Sequence, residues 1–138
     1  MQAPIISLVF HDKFISVNSA YMTRGRFRVL TEEARNFKTR IAQQVKDIIN
    51  KDQLNQLKKA DTLAVCIEIE SPTWICKNGH LRKKDIASAE KCLTDAIFSE
   101  LGVDDSKIFQ LQMNKKLGNI ETITYSIFPL TSSVLLQD

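Results

Sequence analysis

The stretch LAVCIEIE, residues 63–70, alternates without a break. Leu63, Val65, Ile67 and Ile69 are apolar, while Cys66, Glu68 and Glu70 fall between them. A period of two is that of a β-strand with one face in a core. On either side the period changes. Ala34, Phe37, Ile41, Val45 and Ile48 recur at three- and four-residue spacing, the stripe of an amphipathic helix running to about Asn50. Thr31 is its predicted cap, and Glu32 and Glu33 place carboxylates at the positive end of its dipole. A second stripe, Ile86, Ala89, Leu93, Ile97 and Leu101, predicts a helix from near Asp85 to a stop at Gly102. A strand between two such helices requires a sheet for both to pack on.

The other segments complete that sheet. Residues 5–10 are short, β-branched and apolar, and predict a first strand. Residues 11–30 hold no stable period and carry Gly25, so they predict a basic connecting loop. Residues 51–61 read as a polar connection, and 71–84 as a loop with Pro72 and Gly79. Val103-Asp104-Asp105-Ser106 is a tight acidic link. Phe109, Leu111 and Met113 then alternate with Gln110 and Gln112 in a third strand. A turn at residues 117–119 leads to a fourth strand over 121–128, expected as the hairpin partner of the third. The order is strand, loop, helix, strand, helix, strand, strand. The expected fold is α/β, α+β-like in its segregation, with a small mixed sheet of about four strands and two long helices. Its 138 residues suit one core and one domain, 1–138.

Charge is unevenly spread. The net charge is only +3, yet Arg24, Arg26, Arg28, Arg35, Lys38 and Arg40 stand against Glu32 and Glu33 alone. A second cluster, Lys77, Arg82, Lys83, Lys84 and Lys91, stands against Asp85 and Glu90. Two basic clusters on a balanced background point to a polyanion-facing surface. Trp74 and Tyr21 fall in loops, where an aromatic ring can stack on bases; packing over the sheet edge is the alternative for Trp74. Three scattered cysteines argue against a disulfide framework and for a reducing compartment. The first ten residues lack the features of a signal peptide, and no apolar stretch has membrane-spanning length, so the expected location is the cytoplasm. Cys76 and His80 have too few companions for a structural zinc site. No serine or cysteine has the neighbouring histidine of a nucleophilic site.

The second helix gathers chemistry. Ser88, Lys91 and Asp95 share the face away from its apolar stripe, Asp85 stands at its start, and Asp104-Asp105 follows its end. Carboxylates held with a lysine beside basic loops are the parts of metal-assisted phosphodiester hydrolysis. The same residues have a plain structural reading: a helix cap, an i,i+4 surface pair and turn residues.

The segment KDIASAEKCLTDAIFSELGVDDSKI, residues 84–108, resembles the RusA-type Holliday-junction resolvases, crossover junction endodeoxyribonucleases with the pattern D-x-D-N-x-x-K, D-A-L and an acidic pair before a strand. The likeness extends over most of the chain, beginning with Ser16-Val17-Asn18 and Tyr21 in place of that family's first loop. It implies a homodimeric, Mg²⁺-dependent endonuclease of DNA recombination and repair, with Mn²⁺ as an alternative metal, that nicks two strands of a four-way DNA junction. By this resemblance Asp85 matches the first metal-binding aspartate. Asp105, with Asp104, matches the acid after the helix, Lys91 the catalytic lysine, and Asn18 the asparagine of the first loop. Arg24, Arg26, Arg28, Lys77, Arg82, Lys83 and Lys84 are the expected DNA contacts.

The pattern is broken at one place. Ala87 and Ser88 stand where the family carries its second aspartate and an asparagine, and Ala87 cannot bind a metal. Three consequences are open: Glu70 or Asp95 replaces the lost ligand, the site works with fewer carboxylates, or the protein binds branched DNA without cutting it.

Overall fold

The computed structural model describes residues 3–15, 20–82, 87 and 90–130. Four strands form the main sheet: β1 (Ile6–Phe10), β4 (Leu63–Ser71), β5 (Ile108–Leu117) and β6 (Thr122–Pro129), in the order β1-β6-β4-β5. β6 runs antiparallel to both β1 and β4, and β5 runs parallel to β4. A separate ribbon pairs β2 (Tyr21–Arg24) with β3 (Phe27–Leu30). The helices are α1 (Glu32–Ile48), α2 (Lys51–Lys59) and α3 (Glu90–Leu101). This is the mixed α/β arrangement expected, with a four-stranded mixed sheet.

Alternation fixes which face of the sheet is covered. Leu63, Val65, Ile67 and Ile69 of β4 are buried with Ile6, Leu8 and Phe10 of β1 and Ile123, Tyr125 and Ile127 of β6. Ala34, Phe37, Ile41 and Val45 of α1 and Leu93, Ala96, Ile97 and Leu101 of α3 close over them in one core. Burying each large side chain contributes roughly 1.5–3 kcal/mol. The opposite face is polar; there the Ser7 and Ser126 hydroxyls lie 2.9 Å apart. α1 starts where expected, Thr31 Oγ1 accepting from the Ala34 amide at 3.2 Å. α3 stops at Gly102, whose φ of 67° is the left-handed value that glycine takes without strain.

Four expectations are corrected. First, residues 21–30 are the β2–β3 ribbon and not a loop. Gly25, at φ 64°, turns the chain in two residues, and the arginines masked the strand alternation. Second, residues 51–59 are helical: Asn50 and Gln53 form a reciprocal capping box, but Leu57 alone is fully buried, too little to print an apolar stripe. Third, Ile48 is 47% exposed, because α1 has passed the core by its last turn. Fourth, β5 and β6 do not pair. The crossover through α3 lays β5 along the outer side of β4, while β6 takes the inner side. The β5–β6 connection therefore passes over the end of β4, and the Glu70 carboxylate lies so close against Gly118 that a Cβ there would collide. The predicted positions Asp85, Ile86, Ser88 and Ala89 of the second helix lie outside the described residues.

Trp74 packs over the end of the sheet at 5% exposure, the structural alternative stated for it. Its indole Nε1 donates to the Ile69 and Lys116 carbonyls, both at 3.1 Å, and Phe14 stacks on its ring. No helix among the described residues is long and apolar enough to cross a membrane.

Candidate active site

α3 buries Cys92, Leu93, Ala96 and Ile97, which turns Lys91 and Asp95 outward one turn apart. After Gly102 the chain reverses into a 3-10 turn, Asp105–Lys107, and enters β5 alongside the helix. Glu90, Lys91, Thr94 and Asp95 of α3 thereby face Asp105 and the first residues of β5 across an open cleft of about 450 Å³. Asp95 and Asp105 also border a second hollow of about 370 Å³, with Lys38 of α1 and Asp104 on its walls. The two acids separate the hollows, and each hollow holds one lysine.

The electrostatics follow from that gathering. Lys91 Nζ lies 3.6 Å from Asp95 Oδ2, an i,i+4 pair on a partly exposed face. The Glu90 carboxyl is pushed above the ordinary glutamate range, first by burial and then by repulsion from Asp95 and Asp105, with Lys91 offsetting part of it. Thr94 forms the floor, its hydroxyl 2.9 Å from the buried Tyr125 hydroxyl. Burial, partly opposed by that bond, raises the Tyr125 pKa further, and the charges of Glu90, Asp105 and Asp95 add to it. Asp104 is different: its Oδ1 accepts from the Ser106 amide at 2.9 Å, which holds its carboxyl below the usual range. It caps the 3-10 turn that aims Asp105.

Of the residues singled out in the sequence, Lys91, Asp95 and Asp105 are brought together around one cleft. Asp104 is adjacent but engaged as a cap. Glu70 is elsewhere. Ile108, at the start of β5, pairs with Leu63, and Glu70 stands seven residues, roughly 23 Å, further along β4. It lies on the polar face, 3.7 Å from Lys116 Nζ. Ala87 is exposed. Asp85, Asn18, Lys83 and Lys84 lie outside the described residues.

The basic residues occupy two projections. Arg24, Arg26 and Arg28 are exposed on the β2–β3 ribbon, where Arg28 lies over the Tyr21 ring at 5.2 Å. Lys77 and Arg82 are exposed on a tight loop closed by the Ile75–Leu81 bridge and by the Cys76 amide donating to the His80 carbonyl at 2.8 Å.

Two participants were missed in the sequence. In the sequence Glu90 reads only as a counter-charge, although it stands three positions after Ala87 and immediately before Lys91. Lys38 reads only as part of the first basic cluster; nothing local in α1 signals that α3 brings Asp95 to the same hollow.

Carboxylate oxygens are the donors a hard divalent cation prefers, and the mutual repulsion at Glu90 is charge that such a cation would relieve. Among the described residues no three acidic, histidine or cysteine side chains converge into a complete metal-binding set. A family model, Endodeoxyribonuclease RusA, matches residues 14–125, more than three quarters of the chain. The matched span runs from before the ribbon to the Tyr125 that underlies the cleft. No curated protein matches the sequence.

Proposed function

Because the chain belongs to the RusA endodeoxyribonuclease family, whose members act on Holliday junctions, we propose that it is a structure-selective endonuclease resolving four-way DNA junctions by paired, Mg²⁺-dependent phosphodiester hydrolysis. The observation that carries this reading is the cleft itself: Asp105, Asp95 and Glu90 beside Lys91, on the same helix–strand unit that the family match covers.

In this reading Asp85 and Asp105 hold the metal, and Mn²⁺ is accepted in its place. Glu90 supplies the carboxylate lost at Ala87, in preference to Glu70, which is committed to Lys116 at the far end of β4. A Mg²⁺ ion held by these carboxylates would supply a polarised water and charge stabilisation for the leaving oxygen. Lys91 offsets charge building on the phosphate, and Asp95 steers its ammonium at 3.6 Å. Arg24, Arg26, Arg28, Lys77, Arg82, Lys83 and Lys84 hold phosphates of the arms, with Asn18 in the first loop. Residues 1–138 act as one domain, and the protein works in the cytoplasm.

A twofold dimer suits a substrate with two equivalent scissile phosphates. β5 is one of the two edge strands of the sheet, and Phe109, 60% exposed, and Leu111 lie uncovered on it beside the cleft. A second copy laid along that edge would satisfy its backbone and cover both side chains. Ala87 supports one other reading, a catalytically inactive branched-DNA-binding protein on the same fold.

The test is cleavage of a labelled synthetic four-way junction in Mg²⁺ and in Mn²⁺, beside Asp85→Asn and a linear duplex. Paired nicks in opposing strands, lost in the variant, are the expected result. Tight junction binding without nicks in either metal would favour the inactive binder, and Ala87→Asp would then be examined for restored cutting.

A further inference from the structure

The β2–β3 ribbon is built with the wrong side out for an ordinary amphipathic hairpin. Register pairs Tyr21 with Leu30, Met22 with Val29, Thr23 with Arg28 and Arg24 with Phe27. One face therefore carries Tyr21, Thr23, Arg28 and Leu30, and the other Met22, Arg24, Phe27 and Val29. Tyr21 and Leu30 pack against the core. The other face turns its large apolar side chains to solvent: Phe27 is 73% exposed and Met22 45%. The base of the ribbon is held firmly. The Thr31 amide donates to the Ala20 carbonyl at 2.9 Å, and Arg35 Nη1 donates to the Leu30 carbonyl at 2.9 Å. At the far end Arg24 stands opposite Phe27, with Arg26 in the turn and Arg28 following. Residues 20–31 contain these three arginines and no acidic residue.

An exposed aromatic ring among arginines on an anchored projection has the composition of a side chain that enters a base stack. The guanidinium groups hold flanking phosphates, while the ring takes the place of a neighbouring base. We infer that Phe27 is a stacking wedge that contacts an unstacked base at the branch point of the DNA, with Met22 beside it and Arg24, Arg26 and Arg28 on the adjoining backbone. The charge of the ribbon selects a polyanion, and the ring selects one with an accessible base face. A continuous duplex offers that face only after unstacking, whereas a branch point already exposes it. The inference rests on the reading of the chain as a junction-binding protein.

The experiment uses the full chain in EDTA, a four-way junction carrying 2-aminopurine at each branch-adjacent position in turn, and a linear duplex of the same sequence. Wild type is expected to change the fluorescence at one branch position. Phe27→Ala should abolish that change and weaken junction binding at least about fivefold, the lower end of what one base–aromatic stack is worth. Its duplex affinity and thermal midpoint should stay unchanged, because the ring is outside the core. Phe27→Trp should restore the signal. Arg24→Ala should instead weaken junction and duplex alike, with a salt dependence shallower by about one unit. Phe27→Ala binding the junction as wild type does, with the fluorescence change intact, overturns the wedge and leaves the function standing. Wild type binding junction and duplex equally overturns both.

Discussion

The hydroxyls of Thr94 and Tyr125 meet at 2.9 Å at the floor of the acidic cleft, joining α3 to the central sheet at the point where Glu90, Asp95 and Asp105 face one another. Both residues are buried, and the bond is the polar link between two otherwise apolar surfaces.

Thr94→Val keeps the shape of the side chain but leaves the Tyr125 hydroxyl in the core without this partner. We expect a loss of about 1–3 kcal/mol, the cost of an unmet buried donor. Thr94→Val/Tyr125→Phe removes both hydroxyls, and its loss should fall short of the sum of the single variants. Urea denaturation of the four proteins measures the coupling. Additive losses would show that the hydroxyls do not act as a pair.

A second expectation concerns pH. The Glu90 carboxyl binds its proton more tightly in the folded chain than in the unfolded one, because of burial first and the charges of Asp95 and Asp105 next. Folded-state protonation is therefore favourable. Its stabilising effect is fully present below the ordinary glutamate pKa and is lost as pH rises through the raised value. Glu90→Gln, uncharged throughout, should be more stable than wild type at neutral pH in EDTA. The difference should vanish near pH 4, where the glutamate of the unfolded chain also takes up its proton. Thermal midpoints measured from pH 4 to 8 give the answer, and equal midpoints at pH 7 would contradict it.

What could be read from the sequence follows from where the determining contacts lie. β4 was legible because each alternate residue from Leu63 to Ile69 is buried, so period and environment agree. α1 was legible for the same reason up to Val45. α2 was not, since it is held by Asn50 and Gln53 capping one another, by the buried Leu57 and by the half-buried Leu54, too few apolar positions to show a stripe. The place of β6 between β1 and β4 was also out of reach, because Ile67 facing Tyr125 is a contact across 58 positions that no local period encodes. The site divides in the same way. Lys91, Asp95 and Asp105 could be named from spacing around α3. Glu90 and Lys38 acquire their positions only when α1 and β5 close around that helix.

The adjoining aspartates Asp104 and Asp105 read as one acidic pair in the sequence, and the fold gives them different work. Asp104 Oδ1 accepts from the Ser106 amide at 2.9 Å and caps the turn, whereas Asp105 borders both hollows beside Asp95. Asn accepts the same backbone bond through its amide oxygen, so Asp104→Asn should preserve the turn and leave junction cutting nearly unchanged. Asp105→Asn removes a carboxylate charge from the cleft. If Asp105 holds the metal, cutting should fall by at least about 100-fold, the upper end of what loss of a metal ligand's supporting partner costs. Junction affinity in EDTA should hold, because the proposed phosphate contacts are those of the ribbon and the basic loop. Rates of junction nicking measured against Mg²⁺ concentration separate the two variants. Equal losses in both would mean that the pair binds the metal jointly and that the cap is incidental.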